Sequence, residues 1–268
     1  MSVFQTSYSP LSASNPQWGA AACLPWDEAI FGFPVAELRV GSQTPARGDV
    51  SDFRAALEQF AARARAELIS VRFSAHQLAW VELLCQAGFI PVDLSIEASH
   101  GPLRLEAMPK PRFGVRLAAP DDFPDLLRIA GCAFHFGRYH ADPRFPRELA
   151  DRRYVHWLRN ALESADSNEY IFVLGSAAQR LGFFHAVLRE GGVDLRLAAA
   201  DPGLPVGLGP ALYSETLLAL QQMGARRFVT KVSAANMGVV NLYASIGFRF
   251  SNPAHIFHWH APGANHLL

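Results

Sequence analysis

The stretch Leu204-Pro-Val-Gly-Leu-Gly-Pro210 joins two segments whose hydrophobic periods differ. Residues 193–199, before it, alternate in a way that predicts a strand. Residues 210–224, after it, form an apolar helical run that starts at a proline and stops at a glycine, which are the residues favoured at these two ends. A strand that opens through Gly207 and Gly209 into a helix N-terminus presents backbone N–H groups and the positive end of the helix dipole. The stretch therefore predicts an anion site.

A second pattern follows this helix. A predicted strand over residues 228–232 is followed by Asn236, by Tyr243 seven residues on, and by a closing Gly-Phe pair. Together with the two-glycine loop, this order and spacing resembles the GNAT family of acetyl-CoA-dependent N-acyltransferases, whose pyrophosphate loop reads Gln/Arg-x-x-Gly-x-Gly/Ala. A Gly-x-Gly pair alone is usually only a turn, and a tyrosine such as Tyr243 is more often a core residue, so the joint spacing carries the resemblance.

The resemblance implies a GNAT fold, of α/β (α+β) class, in which a mixed and mostly antiparallel sheet is flanked by helices. It also implies acetyl-CoA as co-substrate and no metal. Tyr243 matches the general acid that protonates the leaving thiolate, and Asn236 matches a residue that hydrogen-bonds CoA. The loop would bind the CoA pyrophosphate through backbone N–H groups, and the strand before it would contact the pantetheine arm. The expected CoA-binding residues are Leu197, Ala199, Leu204, Val206, Gly207, Leu208, Gly209 and Asn236.

The chain departs from the family pattern at the start of the loop. Leu204 stands where the family has Gln or Arg, and the preceding strand ends in three alanines where valine is more usual. A side-chain contribution to phosphate binding is therefore absent, although backbone binding can survive. This departure motivates one alternative, a catalytically silent CoA-binding or scaffold protein.

The first half of the chain contains a weak repeat of the second pattern. Residues 74–89 can be laid over residues 233–248, with Gln77 in place of Asn236 and Leu84 in place of the tyrosine. The first copy has no Gly-x-Gly loop, so the sequence predicts a degenerate, partial GNAT-like domain over residues 1–105 and a catalytic GNAT domain over residues 112–268.

Other elements are predicted from period and turn residues. Residues 1–22 show no period and are interpreted as an arm, and residues 99–112, with three prolines, are the best linker. Ser51 is the expected N-cap of a helix that reaches residue 64. The remaining predicted strands cover residues 35–40, 68–73, 89–97, 115–117, 170–174 and 181–188, and the remaining helices cover residues 76–87, 120–130 and 147–162.

The acceptor is suggested only by a wider resemblance. Trp26-Asp near the start, the loop from Arg138 to Asp142 and the His-rich C-terminal strand resemble the branch of the family that acetylates the amine of dTDP-fucosamine (dTDP-4-amino-4,6-dideoxygalactose). Arg138, His140 and Asp142 would then line the site of a nucleotide-linked amino sugar, although Asp142-Pro can equally just shape a turn. Another small amine, amino acid or antibiotic is the alternative acceptor.

Composition restricts the partners. Lys+Arg and Asp+Glu both number 24, so the formal net charge is zero and speaks against nucleic-acid or acidic-membrane binding. Three scattered cysteines, with no apolar run of membrane length, indicate a cytoplasmic protein. The exposed edge of a GNAT sheet leaves a homodimer open, and nothing in the sequence fixes it.

Histidines at two places in the sequence could take part in chemistry, one near the C-terminus and one near the expected site. His258 and His260 would face one way on a strand and His255 the other, but no carboxylate or cysteine spacing completes a ligand set, so no metal site is predicted. His185 and Asp194 are near the expected site, yet a buried histidine is more often a hydrogen-bonded core residue. The general base is therefore left unassigned.

Overall fold

The computed structural model describes residues 6–42, 50–103, 114–176, 179–190, 192–204 and 209–264. The chain divides into two compact units. Unit 1 consists of Met1–Ser95, Phe136–Ala150 and Asn252–Leu268, and unit 2 consists of Ile96–His135 and Asp151–Ser251. Two segments from the second half of the chain are thus part of unit 1. Most of the expected linker lies outside the described residues, and the domain boundaries of the sequence analysis stay a prediction.

Unit 1 is built on a sheet with the strand order β1-β2-β3-β4-β11-β5. Strands β3 and β4 are parallel, whereas β1–β2, β2–β3 and β4–β11 are antiparallel. Strand β5 continues into unit 2 from residue 96. The strands are β1 Ser9–Pro10, β2 Ala20–Cys23, β3 Val35–Arg39, β4 Leu68–Ser74, β5 Ile90–His100 and β11 Arg249–His260. The helices are α1 Pro25–Phe31, α2 Val50–Ala64 and α3 Leu78–Gln86.

The N-terminal segment is part of the core of unit 1, so its interpretation as an arm is wrong for the described residues. Trp18 is 2% exposed and its ring meets that of Phe53 edge-to-face at 5.6 Å. The same apolar cluster takes Phe257 and Trp259 from the last strand. The segment had no readable period because its strands are only two and four residues long.

Unit 2 is a sheet with the order β5-β10-β9-β8-β7-β6. Strands β6 to β9 pair antiparallel, and β9 and β10 are parallel. The strands are β6 Val115–Leu117, β7 Glu169–Gly175, β8 Arg180–Arg189, β9 Gly192–Ala200 and β10 Phe228–Ser233. The helices are α4 Phe123–Ala130, α5 Arg147–Leu162 (which starts in unit 1), α6 Gly209–Gln222 and α7 Met237–Ser245.

Two apolar clusters fill unit 2. The α6 cluster contains Leu212 and Leu217 from α6 and Tyr243 from α7. The α4 cluster contains Leu126 from α4 and Leu158 from α5. In both units the predicted elements are confirmed apart from shifts of a few residues at their ends. The expected N-cap at Ser51 is wrong, because α2 already begins at Val50.

The two segments of the sequence repeat have the same local structure. Helices α3 and α7 are each nine residues long, and each is followed by a glycine with positive φ, 95° at Gly88 and 89° at Gly247. The next N–H group, on Phe89 or Phe248, donates back into its helix over 2.9 Å. Strand, helix, left-handed glycine and strand therefore recur with the same helix C-cap.

No helix in the described part of the chain combines the length and the apolar character that a membrane span requires.

The buried position of Trp18 generates a stability prediction. Trp18→Ala removes a large side chain from a packed cluster, so we expect the free energy of unfolding to fall by about 3–5 kcal/mol, measured by urea denaturation. Leu78→Ala is the control, since Leu78 is 69% exposed and its truncation should change little. Equal effects of the two substitutions would contradict the placement of Trp18.

Candidate active site

Strands β9 and β10 lie side by side only where they begin. Their parallel register pairs Val193 with Phe228 and Asp194 with Val229, and it includes no later residue of either strand. At the end of the paired part, the Thr230 hydroxyl donates a hydrogen bond of 2.8 Å to the Leu195 carbonyl. Beyond this bond no further residues of the two strands pair, although β9 continues to Ala200 and β10 to Ser233, and we call this unpaired stretch between the strands the gap.

A β-bulge in β9 lies next to the gap. His185 of β8 pairs with Leu197 and the next residue, Ala186, pairs with Leu195, so Arg196 is an extra residue without a partner on β8. The bulge changes the face that the side chains occupy. Before it, Leu195 packs in the α6 cluster, and after it, Leu197 packs in the α4 cluster.

The ladder between β8 and β9 decides which backbone groups face the gap. Asp201 donates its N–H to the Leu181 carbonyl over 2.8 Å, and antiparallel pairs alternate between bonded and non-bonded. The pairs of Ala199 with Phe183 and of Leu197 with His185 are therefore the bonded ones. The N–H and C=O groups of the half-buried Ala198 and Ala200 point away from β8, into the gap. The sequence analysis names Leu197 and Ala199 for the backbone contact to CoA, whereas the groups that face the gap belong to their neighbours Ala198 and Ala200.

The loop after β9 begins as a turn held by one carboxylate. Asp201 accepts the N–H of Gly203 on its side chain and the N–H of Leu204 on its carbonyl, both at 2.8 Å, and Arg128 binds its other carboxylate oxygen at 2.6 Å. The N–H of Leu204 is therefore occupied inside the turn. Of the other expected loop donors, Val206, Gly207 and Leu208 lie outside the described residues, and Gly209 is the first residue of α6.

Tyr243 lies in the α6 cluster, only 3% exposed. Its ring is edge-to-face with Tyr213 at 5.5 Å and tilted against Phe248 at 4.6 Å. Burial raises the pKa of Tyr243 well above its usual value, the neighbouring Tyr213 raises it further, and a hydrogen bond with Thr230 lowers it. Tyr243 is consequently protonated at neutral pH. Its partner Thr230 also donates to the Leu195 carbonyl, so Tyr243 lies next to the place where the β9–β10 pairing ends.

Asn236 is the N-cap of α7. Its side-chain oxygen accepts the N–H of Val239 over 3.2 Å, which satisfies one of the free donors of the helix N-terminus. The structure therefore gives Asn236 a local role in addition to the CoA contact that the sequence predicts.

A histidine–carboxylate pair lies on β7 and β8, at the bulge. His185 is fully buried, its Nε2 is 2.7 Å from Glu169 Oε1, and its Nδ1 has no hydrogen-bond partner. Burial lowers the pKa of His185, while the charge of Glu169 and its hydrogen bond oppose this shift. A neutral imidazole that donates from Nε2 to a carboxylate keeps a lone pair on Nδ1, which is the form of a general base.

Several solved structures of N-acetyltransferases resemble this chain in fold. A GCN5-related N-acetyltransferase from Sphaerobacter thermophilus is 16% identical, with a TM-score of 0.61 over 91% of this chain and 76% of its own. Another, from Kribbella flavida, is 15% identical, with a TM-score of 0.57 over 93% of this chain and 90% of its own. A tandem GNAT protein from the clavulanic acid biosynthesis pathway is 13% identical, with a TM-score of 0.55 over 92% of this chain and 80% of its own.

The chain has the GNAT fold. Identities this low establish the fold alone. The tandem neighbour agrees with an arrangement of two units, each of which carries one copy of the repeat helix. No family model and no curated protein matches the sequence.

The residues expected to bind the acceptor all lie in unit 1 of this GNAT fold. Arg138 is 3.7 Å from Asp27 and donates to the Tyr139 hydroxyl, and His140 is half-buried. Asp142 is 2% exposed and is hydrogen-bonded by two histidines. The structure thus brings Asp142 into a buried polar cluster.

Three features of the site were missed by the sequence analysis. These are the Thr230 bridge, the bulge at Arg196, and the pairing of His185 with Glu169. Of the three, only the pairing of His185 with Glu169 could have been found from residue spacing. Ile171 and His185 pair directly, and Glu169 lies two residues from Ile171 on the same face of β7.

The His185–Glu169 pair generates a pH prediction. Because burial lowers the pKa of folded His185, the unfolded chain binds a proton first on acidification, so the free energy of unfolding falls as pH drops below about 6.5. Glu169→Gln removes the charge that raises this pKa, and we expect His185 to titrate at a still lower pH. Two-dimensional NMR of the imidazole measures both values. A higher pKa in the variant would contradict the pairing.

Proposed function

We propose that the chain transfers an acetyl group from acetyl-CoA to a primary amine by direct attack in a ternary complex. The observation that carries this proposal is that the pairing of β9 with β10 ends after two residues. At that point Thr230 bonds the Leu195 carbonyl and is itself hydrogen-bonded with Tyr243. A gap between parallel strands offers unpaired backbone groups to an extended ligand, as the pantetheine arm is. Such groups cost free energy when they stay unpaired, which favours a ligand there.

Donor binding would use the backbone. In this proposal the N–H and C=O groups of Ala198 and Ala200 bond the pantetheine arm, since their partners on the β10 side are absent beyond Thr230. The pyrophosphate would bind at the N-terminus of α6 through N–H groups of residues 206–209, where the helix dipole adds positive charge. Asn236 would contribute a further polar contact to CoA.

The chemistry needs an acid and a base. Attack of an amine on the thioester forms a carbon–nitrogen bond, breaks the carbon–sulfur bond and leaves a thiolate that must be protonated. Tyr243 would supply this proton from its protonated hydroxyl. The Nδ1 atom of His185 would accept the proton that the amine loses, and Glu169 would hold the imidazole in the required tautomer.

The finer proposal concerns the acceptor. The sequence resemblance supports a nucleotide-linked deoxy-amino-sugar, with Arg138 and His140 as polar contacts. Asp142 is less suited to this role because its side chain is buried against two histidines. Another small amine or amino acid is the alternative acceptor, and a panel of amines assayed for free CoA distinguishes the two. A silent CoA-binding protein, which Leu204 motivates, would bind acetyl-CoA in calorimetry without releasing CoA with any amine.

The role of Tyr243 is tested by Tyr243→Phe. We expect kcat to fall about 100-fold at every pH below the ionisation of Tyr243 while the Kd for acetyl-CoA is unchanged, because only the departing thiolate loses its proton donor. An acetyl thioester of a more acidic thiol should recover most of the rate, since that leaving group needs no proton. Because the pKa of Tyr243 is raised, the loss of rate through its ionisation should lie above about pH 10 in the unmodified protein.

Tyr213→Phe is the matched control for this experiment. Tyr213 is equally aromatic, 9% exposed and in contact with Tyr243, and its substitution should leave kcat within about twofold. Full activity of Tyr243→Phe with acetyl-CoA would refute the acid assignment. Equal losses in both variants would indicate a packing effect.

The role of His185 is tested by the pH dependence of kcat/KM. A neutral imidazole is required, so the rate should fall as pH drops through the lowered pKa of His185. His185→Gln should reduce kcat/KM by about 100-fold near pH 7 and remove this acid limb, with acetyl-CoA binding retained. His76→Gln, at an exposed position, should change neither. An unchanged profile in His185→Gln would exclude His185 as the base.

A further inference from the structure

Three buried side chains of unit 1 converge on one point. His258 Nδ1 lies 2.7 Å from Asp142 Oδ2, and His260 Nε2 lies 2.8 Å from the same oxygen. The three atoms are all within 4.8 Å of one another, and the three side chains are at most 1% exposed. The proposed transfer reaction uses none of these groups.

The strand geometry explains how the two histidines meet. Residues two apart on a strand face the same side, so His258 and His260 of β11 point together, and His255 points the other way. The antiparallel pairing with β4 fixes this register, with His258 opposite Ser70 and His260 opposite Leu68. The imidazole positions are therefore set by a full sheet ladder.

The carboxylate is held by its own loop. Asp142 Oδ1 accepts the backbone N–H of Arg144 over 2.9 Å, which leaves Oδ2 directed at the histidines. Support of this kind, in which a ligand's second oxygen is fixed by backbone, is what orients metal-binding carboxylates in proteins. The set of two imidazole nitrogens and one carboxylate oxygen is complete without any movement of the backbone.

The charged groups around Asp142, His258 and His260 allow a cation to bind there. Arg138, whose positive charge acts on His258, lies 3.7 Å from Asp27, and the Tyr139 hydroxyl donates to Asp27 over 3.0 Å, so this guanidinium has a carboxylate partner of its own. Among the described residues, no Lys or Arg side chain forms an ion pair with this carboxylate. A buried charge without a counter-charge is unfavourable.

We propose that Asp142, His258 and His260 bind a divalent transition-metal ion of the zinc class in unit 1. Two histidines and a carboxylate suit Zn²⁺ or Co²⁺, and three protein ligands leave a fourth position for water or for a ligand atom. Ligand atoms around tetrahedral zinc lie about 3.3 Å apart, so the rings must move outward by roughly 0.5 Å from their hydrogen-bonded positions. Side-chain rotation provides a shift of this size.

The experiment is metal titration of the full chain after treatment with a chelator. We expect Co²⁺ to give the ligand-field absorption of a tetrahedral site with about one equivalent bound, and Zn²⁺ to displace it. Zn²⁺ should raise the Tm by about 5–10 °C at roughly a hundredfold excess over Kd. Asp142→Asn and His260→Gln should each abolish the Co²⁺ band. Acyl transfer is not a readout, so failure of the proposed function leaves this result unaffected.

His255→Gln is the matched control. It removes the same ring from the same strand on the other face, and it should keep the Co²⁺ band and the thermal shift. Circular dichroism verifies that each variant is folded, and the Zn²⁺-dependent Tm of the unmodified chain needs no variant at all. A chelator-treated chain that shows no Co²⁺ band and no Zn²⁺-dependent Tm would overturn the proposal. A Co²⁺ band that survives in both Asp142→Asn and His260→Gln but vanishes in His255→Gln would also overturn the proposal.

Discussion

The bulge at Arg196 is the constraint on which the geometry of unit 2 depends. One extra residue in β9 turns the strand's side chains from the α6 cluster to the α4 cluster, so both apolar clusters are filled by a single strand. The same irregularity coincides with the end of the β9–β10 pairing, where Thr230 makes the last bridge to Leu195. The bulge thus accounts for the packing of β9 in both clusters, and it lies beside the unpaired backbone groups of Ala198 and Ala200.

Unit 1 is organised by a different constraint, the enclosure of polar groups. Asp27, Asp142, His258 and His260 are all buried, and each has hydrogen-bonding partners that come from distant parts of the chain. The Asp27 and Asp142 carboxylates accept hydrogen bonds from Tyr139 and from the two histidines, whereas His258 Nε2 has no hydrogen-bond partner among the described residues. Unit 1 therefore holds a buried polar cluster whose members come from three separate segments of the chain.

Sequence periodicity predicted most elements because their strands and helices are long enough to show a pattern, as residues 193–199 and 228–232 do. It could not predict the bulge, because residues 193–197 alternate between apolar and polar side chains as a regular strand does, so the pattern does not mark Arg196 as an extra residue. It missed Trp18 because two- and four-residue strands carry no period. It missed the carboxylate of the histidine cluster because Asp142 and His258 are 116 positions apart, and no spacing rule reaches across that distance.

The assignment of the last strand to unit 1 has a consequence for synthesis of the chain. Phe257 and Trp259 fill the same apolar cluster as Trp18 and Phe53, near the start of the sequence. During translation the N-terminal half emerges first, yet its core stays open until the final strand has left the ribosome. The apolar core of unit 1 is therefore completed only when residues 257–259 are available, whereas the described strands β6 to β10 of unit 2 precede them in the chain. Chaperones that shield exposed apolar surface would act on the first half of this chain until Phe257 and Trp259 have been synthesised.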